Sequence, residues 1–360
     1  MNDMIDYRAV DGTIICTIPP KACLDLDEIK RIAKYTVNTW QQDRDGKETL
    51  DNTVQGKIAE YVLEKYLEME TDVRYVSYDK FRNDDYKKHA PFDGLLYSVK
   101  TTTDILEKLI HEIIVEVSGS ENGQITEAMR ERLEVYKVFT LEIKSSQLRA
   151  KDYEGVEHVN LPRTEDDYIR IVNNIRKWDY FVYPHFTRRS NRISSFYDYA
   201  EYVRTRREFR NQGNQVYLKN LILTEFRNAS DIYTRLYFDY RANEIFIPGY
   251  VIKEDFFKNP KIGKMPGEKS GMALYYMRNI ADGSSFLEIE RNERIWMYER
   301  MVAYSKLFAY QKRKCPNCGK DLQICNTKAR STYNYRCFGC EHWFSVDEIA
   351  DRGEEVNGKT

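Results

Sequence analysis

Glu142 and Lys144 flank Ile143 in a stretch in which apolar and polar residues alternate. Alternation of this kind predicts a β-strand, in which side chains two positions apart point to the same side. A carboxylate beside a lysine on one rigid face suits the hydrolysis of a phosphodiester bond. The carboxylate can hold a divalent ion that polarises the phosphate, and the lysine can orient the attacking water or neutralise charge in the transition state. Glu142 and Lys144 are therefore candidate catalytic residues.

A magnesium site at Glu142 needs further oxygen ligands, because Mg²⁺ is octahedral and usually takes one or two carboxylates besides waters and substrate phosphate. Asp93, on the preceding predicted strand, is the natural second ligand for Mg²⁺ or Mn²⁺, and Glu60 can supply a third acid from a helix. The tripeptide Ser98-Val99-Lys100 lies closer to Asp93, but Ser98 is a poor metal ligand. The alternative is that Glu142 and Lys144 are ordinary residues of a half-exposed strand.

The cysteines predict a second metal site. Five of the seven lie in a short C-terminal stretch, and four of these form two Cys-x-x-Cys pairs separated by eighteen residues. This spacing is typical of tetrahedral Zn²⁺ held by two tight turns with a β-hairpin between them, as in a zinc ribbon. Such a site is structural, because four sulfurs fill the coordination shell. Cys325 is then a spare thiol and His342 a surface residue. The predicted zinc ligands are Cys315, Cys318, Cys337 and Cys340.

A basic stretch runs from Phe186 to Arg210 and contains seven arginines against three acidic residues, with aromatic residues between them. Arginine suits bidentate contact with phosphate, so these side chains are candidate nucleic-acid contacts. A solvated helical face held by salt bridges is an equally good interpretation. The arginines are Arg188, Arg189, Arg192, Arg204, Arg206, Arg207 and Arg210.

Hydrophobic periodicity predicts the elements that position the two acids and the lysine. The predicted order is helix, strand, strand, strand, helix, strand, and residues 101–132 are treated as an insertion because they mix helical and β-branched signals. Further strands are expected near 216–224 and 244–252, and a helix near 290–308. The predicted core elements are helices 24–42, 53–68 and 165–178 and strands 75–78, 91–97, 138–145 and 180–183.

Residues 50–185 resemble the PD-(D/E)XK, or restriction-endonuclease-like, nuclease superfamily. The resemblance is carried by the Glu60 helix, the Asp93 strand, the Glu142-Ile143-Lys144 strand and the helix and strand that follow. It implies an α/β fold with an αβββαβ core and a mixed sheet, with Asp93 and Glu142 as Mg²⁺ ligands, Lys144 as the catalytic lysine and Glu60 as an accessory acid. The chain departs from the family pattern at Phe92, which interrupts the Pro-Asp pair, and in the long gap before Glu142.

Four segments are predicted. They are an N-terminal helical or extended segment (1–50), a nuclease core with insertions near 99–135 and 186–240 (51–260), a helical connector (261–311) and the zinc ribbon (312–360).

Composition limits the function classes. The net charge is −1, so any nucleic-acid surface must come from local clusters of charge. The sequence has no apolar run long enough to span a bilayer and no signal-peptide pattern, which predicts a cytoplasmic protein without a membrane partner. The expected function is a Mg²⁺-dependent endodeoxyribonuclease acting on DNA, as in restriction or host defence, and a homodimer is compatible with it. The alternative is a non-catalytic nucleic-acid-binding or regulatory protein that uses the zinc ribbon.

Overall fold

A computed structural model describes residues 5–20, 23–39, 46–86, 88, 90–120, 123–184, 229–258, 261–267, 271–296, 315–320, 323–327, 332–337 and 339–345. Within these ranges the chain is α/β. The helices are α1 (Leu26–Thr39), α2 (Gly46–Glu70), α3 (Thr103–Gly119), α4 (Glu127–Val135), α5 (Glu165–Trp178), α6 (Lys253–Lys258) and α7 (Glu293–Trp296). The strands are β1 (Tyr7–Val10), β2 (Thr13–Thr17), β3 (Val73–Ser77), β4 (Gly94–Ser98), β5 (Val138–Gln147), β6 (Tyr180–Pro184), β7 (Ile232–Asp239), β8 (Glu244–Ile247), β9 (Tyr250–Ile252), β10 (Lys261–Gly267), β11 (Gly271–Asn279), β12 (Gln323–Thr327), β13 (Thr332–Arg336) and β14 (Trp343–Ser345).

The main sheet is mixed. Its strand order is β1-β2-β8-β7-β5-β4-β3, and β9 adds to β7. Strands β3, β4 and β5 are antiparallel neighbours, and β5 runs parallel to β7 with Glu142 opposite Tyr233 and Lys144 opposite Arg235. Strand β5 therefore lies inside the sheet. Strand β4 pairs with it up to Leu141, and β7 pairs with it from Leu141 to Gln147, so pairing with β7 fixes the backbone that carries Glu142 and Lys144.

Each face of the sheet near β5 is covered by helices. On one face, the apolar side of α2, including Ile58 and Val62, packs in a single core with Leu141 and Ile143 of β5. On the other face, α3 and α4 pack over Leu95 and Val138. Because alternate strand residues point to opposite faces, Glu142 and Lys144 lie on the face opposite α2.

A buried polar network ties β5 to β7. The Asp231 carboxylate accepts hydrogen bonds from the backbone N–H and the hydroxyl of Thr140, each at 2.9 Å, and its other oxygen lies 2.8 Å from Lys253 Nζ. All three residues are buried. A buried carboxylate with these partners is satisfied, so the network holds the two parallel strands in register next to Glu142.

The N-terminal segment is part of the main sheet. Strands β1 and β2 form a hairpin, and β2 pairs with β8 through Ile14 opposite Ile247. The prediction of a separate 1–50 segment missed this hairpin, because its partner strand is more than two hundred residues away in sequence and short strands carry little local signal.

The strand that follows α5 also differs from the prediction. Strand β6, predicted as the last core strand, belongs to a separate sheet of order β10-β11-β6, and β7 occupies the place beside β5. Every residue of β7 is buried, including Arg235. The insertion expected over 186–240 therefore contains a core strand, β7, which lacks the alternation of half-buried strands because it is buried on both faces.

In its described part, the helical connector expected over 261–311 contains the strands β10 and β11, two short 3-10 helices (Ile280–Asp282 and Phe286–Arg291) and the short helix α7. Gly263, Pro266, Gly267 and Gly271 all disfavour helix there. The chain divides into two compact units. The first contains residues 1–183, 229–261 and 276–299, and the second contains 184–228, 262–275 and 300–360.

Among the described residues, no helix is both long and apolar enough to cross a membrane.

Candidate active site and metal centre

Glu142 and Lys144 form an ion pair on β5, with 2.5 Å between Glu142 Oε1 and Lys144 Nζ. Glu142 is 18% exposed and Lys144 is 35% exposed, so both groups are partly shielded from water yet reachable from one side. Ile143 between them is buried in the core against α2. The lysine ammonium is the counter-ion of the glutamate in this arrangement.

Asp93 lies directly before β4 and reaches the same place. Its Oδ2 accepts a hydrogen bond from the backbone N–H of Ile143 at 2.6 Å, and its own N–H donates to Leu141 O at 3.0 Å. These two bonds place the Asp93 carboxylate beside the short segment of β5 that carries Glu142 and Lys144. The structure therefore brings together three of the four groups that the sequence singled out.

The electrostatics of Asp93 reflect this convergence. Burial and the nearby Glu142 carboxylate raise the pKa of Asp93 to about 8, against the lowering effects of Lys144 and of the Ile143 N–H. A carboxylate whose ionisation is opposed by burial and by a neighbouring carboxylate is favourably placed to bind a cation.

Tyr75 and Gly94 position Asp93, and neither was singled out in the sequence. The Tyr75 hydroxyl donates to the backbone carbonyl of Asp93 at 3.1 Å. The ring of Tyr75 lies so close to the backbone of Gly94 that a Cβ at position 94 would clash with it. The sequence signal for this contact is Gly94 itself, which follows the candidate ligand Asp93, because a glycine permits the close approach of another group.

Glu60 lies on α2, on the face of the sheet opposite Glu142. Its carboxylate accepts hydrogen bonds from Lys57 Nζ at 2.7 and 2.8 Å and from the Ser77 hydroxyl at 2.7 Å. Lys57 also lies 2.5 Å from Asp79. Burial raises the pKa of Glu60, although Lys57 acts in the opposite direction. Glu60 is close enough to raise the pKa of Asp93 after burial and Glu142, yet its oxygens are committed to other partners.

The three acids do not form a compact ligand group. Among the described residues, the one group of three or more His, Cys, Asp or Glu side chains with ligand atoms within 4.8 Å of one another is the set of four cysteines. At least two of the carboxylates of Asp93, Glu142 and Glu60 are therefore more than 4.8 Å apart. Of the three, only Asp93 and Glu142 share a face of the sheet.

The four cysteines form a cluster that can hold a structural metal ion such as zinc. Cys315 Sγ lies 3.5 Å from Cys340 Sγ, and Cys318 Sγ lies 3.3 Å from Cys337 Sγ. In a tetrahedral site with Zn–S bonds of about 2.3 Å, the sulfurs are about 3.8 Å apart. The observed separations are close to this value.

Two tight turns present the thiols. In the first, Gly319 N–H donates to Cys315 O at 2.8 Å, and the φ of Gly319 is +72°. In the second, Cys337 N–H donates to His342 O at 2.9 Å. Burial alone would raise the pKa of the Cys337 thiol, but N–H donors from the second turn and the neighbouring thiols lower it to about 6. Thiolate is the form that binds a metal.

Strands β12, β13 and β14 form an antiparallel sheet next to these turns, and Cys325 lies in β12 opposite Asn334. The His342 ring packs against Phe344 with 4.7 Å between ring centroids. The predicted arginine contacts from Arg188 to Arg210 lie outside the described residues.

No protein-family model, curated protein or solved structure matches the chain.

Proposed function

We propose that the protein is a metal-dependent nuclease that hydrolyses phosphodiester bonds in DNA at Asp93, Glu142 and Lys144. The observation that carries the proposal is the hydrogen bond from Ile143 N–H to Asp93 Oδ2, which joins two acids and a lysine on one face of the sheet. The preference for DNA comes from the resemblance to restriction-like nucleases.

The donor set fits a hard divalent cation such as Mg²⁺ or Mn²⁺. Asp93 and Glu142 offer oxygen ligands, and the raised pKa of Asp93 is the effect that a bound cation would reverse. When bound there, the ion would polarise the phosphate and make a water molecule more acidic. Two protein carboxylates leave room for water and substrate, which is the usual arrangement for Mg²⁺.

Each protein group has a task in this proposal. Asp93 and Glu142 hold the cation, and the Ile143 N–H keeps the Asp93 carboxylate turned towards β5. Lys144 supplies a positive charge to the phosphate oxygens, where negative charge grows in the transition state. The burial of Ile143 and the pairing of this part of β5 with β7 fix the spacing between Glu142 and Lys144.

The four-cysteine cluster is proposed to be a structural zinc site in a zinc ribbon. Four sulfurs leave no position for a water molecule, so the ion would stabilise the fold of this small segment rather than take part in the reaction. A non-catalytic role in nucleic-acid binding is the second candidate function, and the compactness of the cysteine cluster relative to the three acids favours it.

The test is cleavage of supercoiled and linear DNA by the zinc-loaded protein with and without millimolar Mg²⁺. Omission of Mg²⁺ is preferable to a chelator, which would also remove zinc. Cleavage is expected only with Mg²⁺, and Glu142→Gln should abolish it while Glu68→Gln, an exposed acid on α2, should not. DNA that is bound but left intact in Mg²⁺ and in Mn²⁺ would favour the second candidate.

A further inference from the structure

A basic and aromatic surface lies on the same unit of the chain as the candidate site. It consists of Arg149 and Lys151, which follow β5, and Lys177 and Trp178 at the end of α5. Arg149 and Lys151 have side-chain exposures of 46% and 35%, and Lys177 and Trp178 are exposed. We call these four residues the basic surface.

A chain of neighbouring residues and hydrogen bonds connects the basic surface to Lys144. Ser146 lies two residues beyond Lys144 on β5 and so points to the same face. Its hydroxyl accepts hydrogen bonds from Arg235 at 2.7 and 3.0 Å, and Arg235 is the register partner of Lys144 on β7. Arg235 also donates to Tyr180 O at 2.8 Å, two residues after Trp178.

Three cations there, Arg149, Lys151 and Lys177, have two buried acid partners, Asp152 and Asp179, which leaves an excess of positive charge. Arg149 and Lys151 both donate to the same oxygen of Asp179, which is buried. Burial lowers the pKa of Lys151, and the neighbouring cations Arg149 and Arg235 lower it further against the opposing effect of Asp152. A cation whose pKa is lowered by other cations gains stability when an anion binds nearby.

Stability of helix α5 explains only part of this arrangement. Basic residues in the last turn complement the helix dipole, which accounts for Lys177, and Lys151 Nζ donates to Trp178 O at 2.9 Å as a cap would. The dipole does not account for Arg149 and Arg235, which lie outside the helix. It also does not account for Trp178, whose ring is 39% exposed with the Lys177 ammonium 4.3 Å from its centroid.

We propose that the basic surface binds the sugar–phosphate backbone of the DNA strand that passes through the Lys144 site, and that Trp178 stacks on an unpaired base. This inference rests on the proposed nuclease function. Exposed cations together with an aromatic platform are the chemistry of single-strand binding. Lys144 and the three cations of the basic surface are at least partly exposed and can contact phosphates, whereas Arg235 is buried and contributes only its charge.

The test uses the double variant Lys151→Gln/Lys177→Gln in the full zinc-loaded chain. Arg149 remains to pair with the buried Asp179, so the fold should survive, and the melting temperature checks this. The matched control is Lys34→Gln/Lys100→Gln, which removes the same charge at exposed positions on α1 and beyond the far end of β4. Binding of a fluorescent 20-nucleotide single strand and its duplex is measured by anisotropy without added Mg²⁺ at several salt concentrations.

The double variant should bind the single strand at least about tenfold more weakly, and the slope of log K against log salt should fall by about 1.4. Trp178→Ala should weaken single-strand binding more than duplex binding. Affinities and slopes equal to those of the control would overturn the inference, even if the protein cuts DNA. If the variants lose binding but the wild type leaves DNA intact in Mg²⁺, the proposed nuclease function fails and the binding surface stands.

Discussion

The carboxylate of Asp93 accepts a hydrogen bond from the backbone N–H of Ile143, with 2.6 Å between the two atoms. Ile143 separates Glu142 from Lys144, so this bond fixes the acid at the start of β4 to the strand that carries the other two groups. The placement is costly, because burial and Glu142 raise the pKa of Asp93 to about 8. Groups held at a cost to stability are typical of functional sites.

Asp93→Asn should make the metal-free protein more stable at pH 8. Between the ordinary pKa of 3.8 and the folded value of about 8, the folded state binds more protons at Asp93 than the unfolded state does. The stability of the wild type therefore falls as pH rises through this window. Asparagine keeps the acceptor for Ile143 N–H without a charge, and we expect a gain of about 1–3 kcal/mol at pH 8 that vanishes near pH 4.

Urea unfolding of the two proteins across pH 4–8 measures this difference, with Asp6→Asn as the control at an exposed position. Added Mg²⁺ should stabilise the wild type and leave Asp93→Asn unchanged, since a cation that binds only the folded state raises its stability. An Asp93→Asn protein that is less stable than the wild type at pH 8 would contradict the assignment.

Glu60→Gln should affect stability more than metal dependence. Its carboxylate is committed to Lys57 and Ser77 on the face opposite Glu142, so the variant loses a largely buried ion pair. We expect a lower melting temperature, with the Mg²⁺ concentration for half-maximal cleavage changed less than about threefold. A Mg²⁺ requirement raised as much as in Glu142→Asp would instead identify Glu60 as an accessory acid.

The purified protein should contain about one zinc ion per chain, because four thiolates complete a tetrahedral shell. Cys318→Ser removes one ligand and should lower the zinc content measured by elemental analysis, whereas Cys23→Ser should not. The loss of zinc should also make the C-terminal segment more sensitive to protease, because metal binding stabilises small modules of this kind. Full zinc content in Cys318→Ser would exclude the proposed ligand set.

Local patterns predicted the elements that carry their own signals. Helix α5 has the bounds that periodicity gave, Glu165–Trp178, and its start is fixed by a capping box between Thr164 and Asp167. Strand β5 is half-buried around Glu142, and its alternation was visible. The cysteine spacing likewise predicted the cluster that the structure contains.

Long-range pairing was not predictable in the same way. Strand β7 is buried along its whole length, and Arg235 within it is satisfied by Ser146 and Tyr180, contacts that no local pattern reveals. The side of the sheet on which Glu60 lies also depends on how α2 packs. For this reason the sequence could name Glu60 as an acid near the site but could not show that Lys57 and Ser77 occupy its oxygens.

The rate of Mg²⁺-dependent plasmid cleavage by Lys144→Ala, compared with Lys100→Ala and the wild type, tests the nuclease proposal most directly. Loss of a positive group that faces the transition-state charge should slow cleavage by at least about a hundredfold, while zinc content stays the same and Lys100→Ala cuts at the wild-type rate. Cleavage by Lys144→Ala at the wild-type rate, or a wild type that does not cut DNA in Mg²⁺ or Mn²⁺, would contradict the proposal.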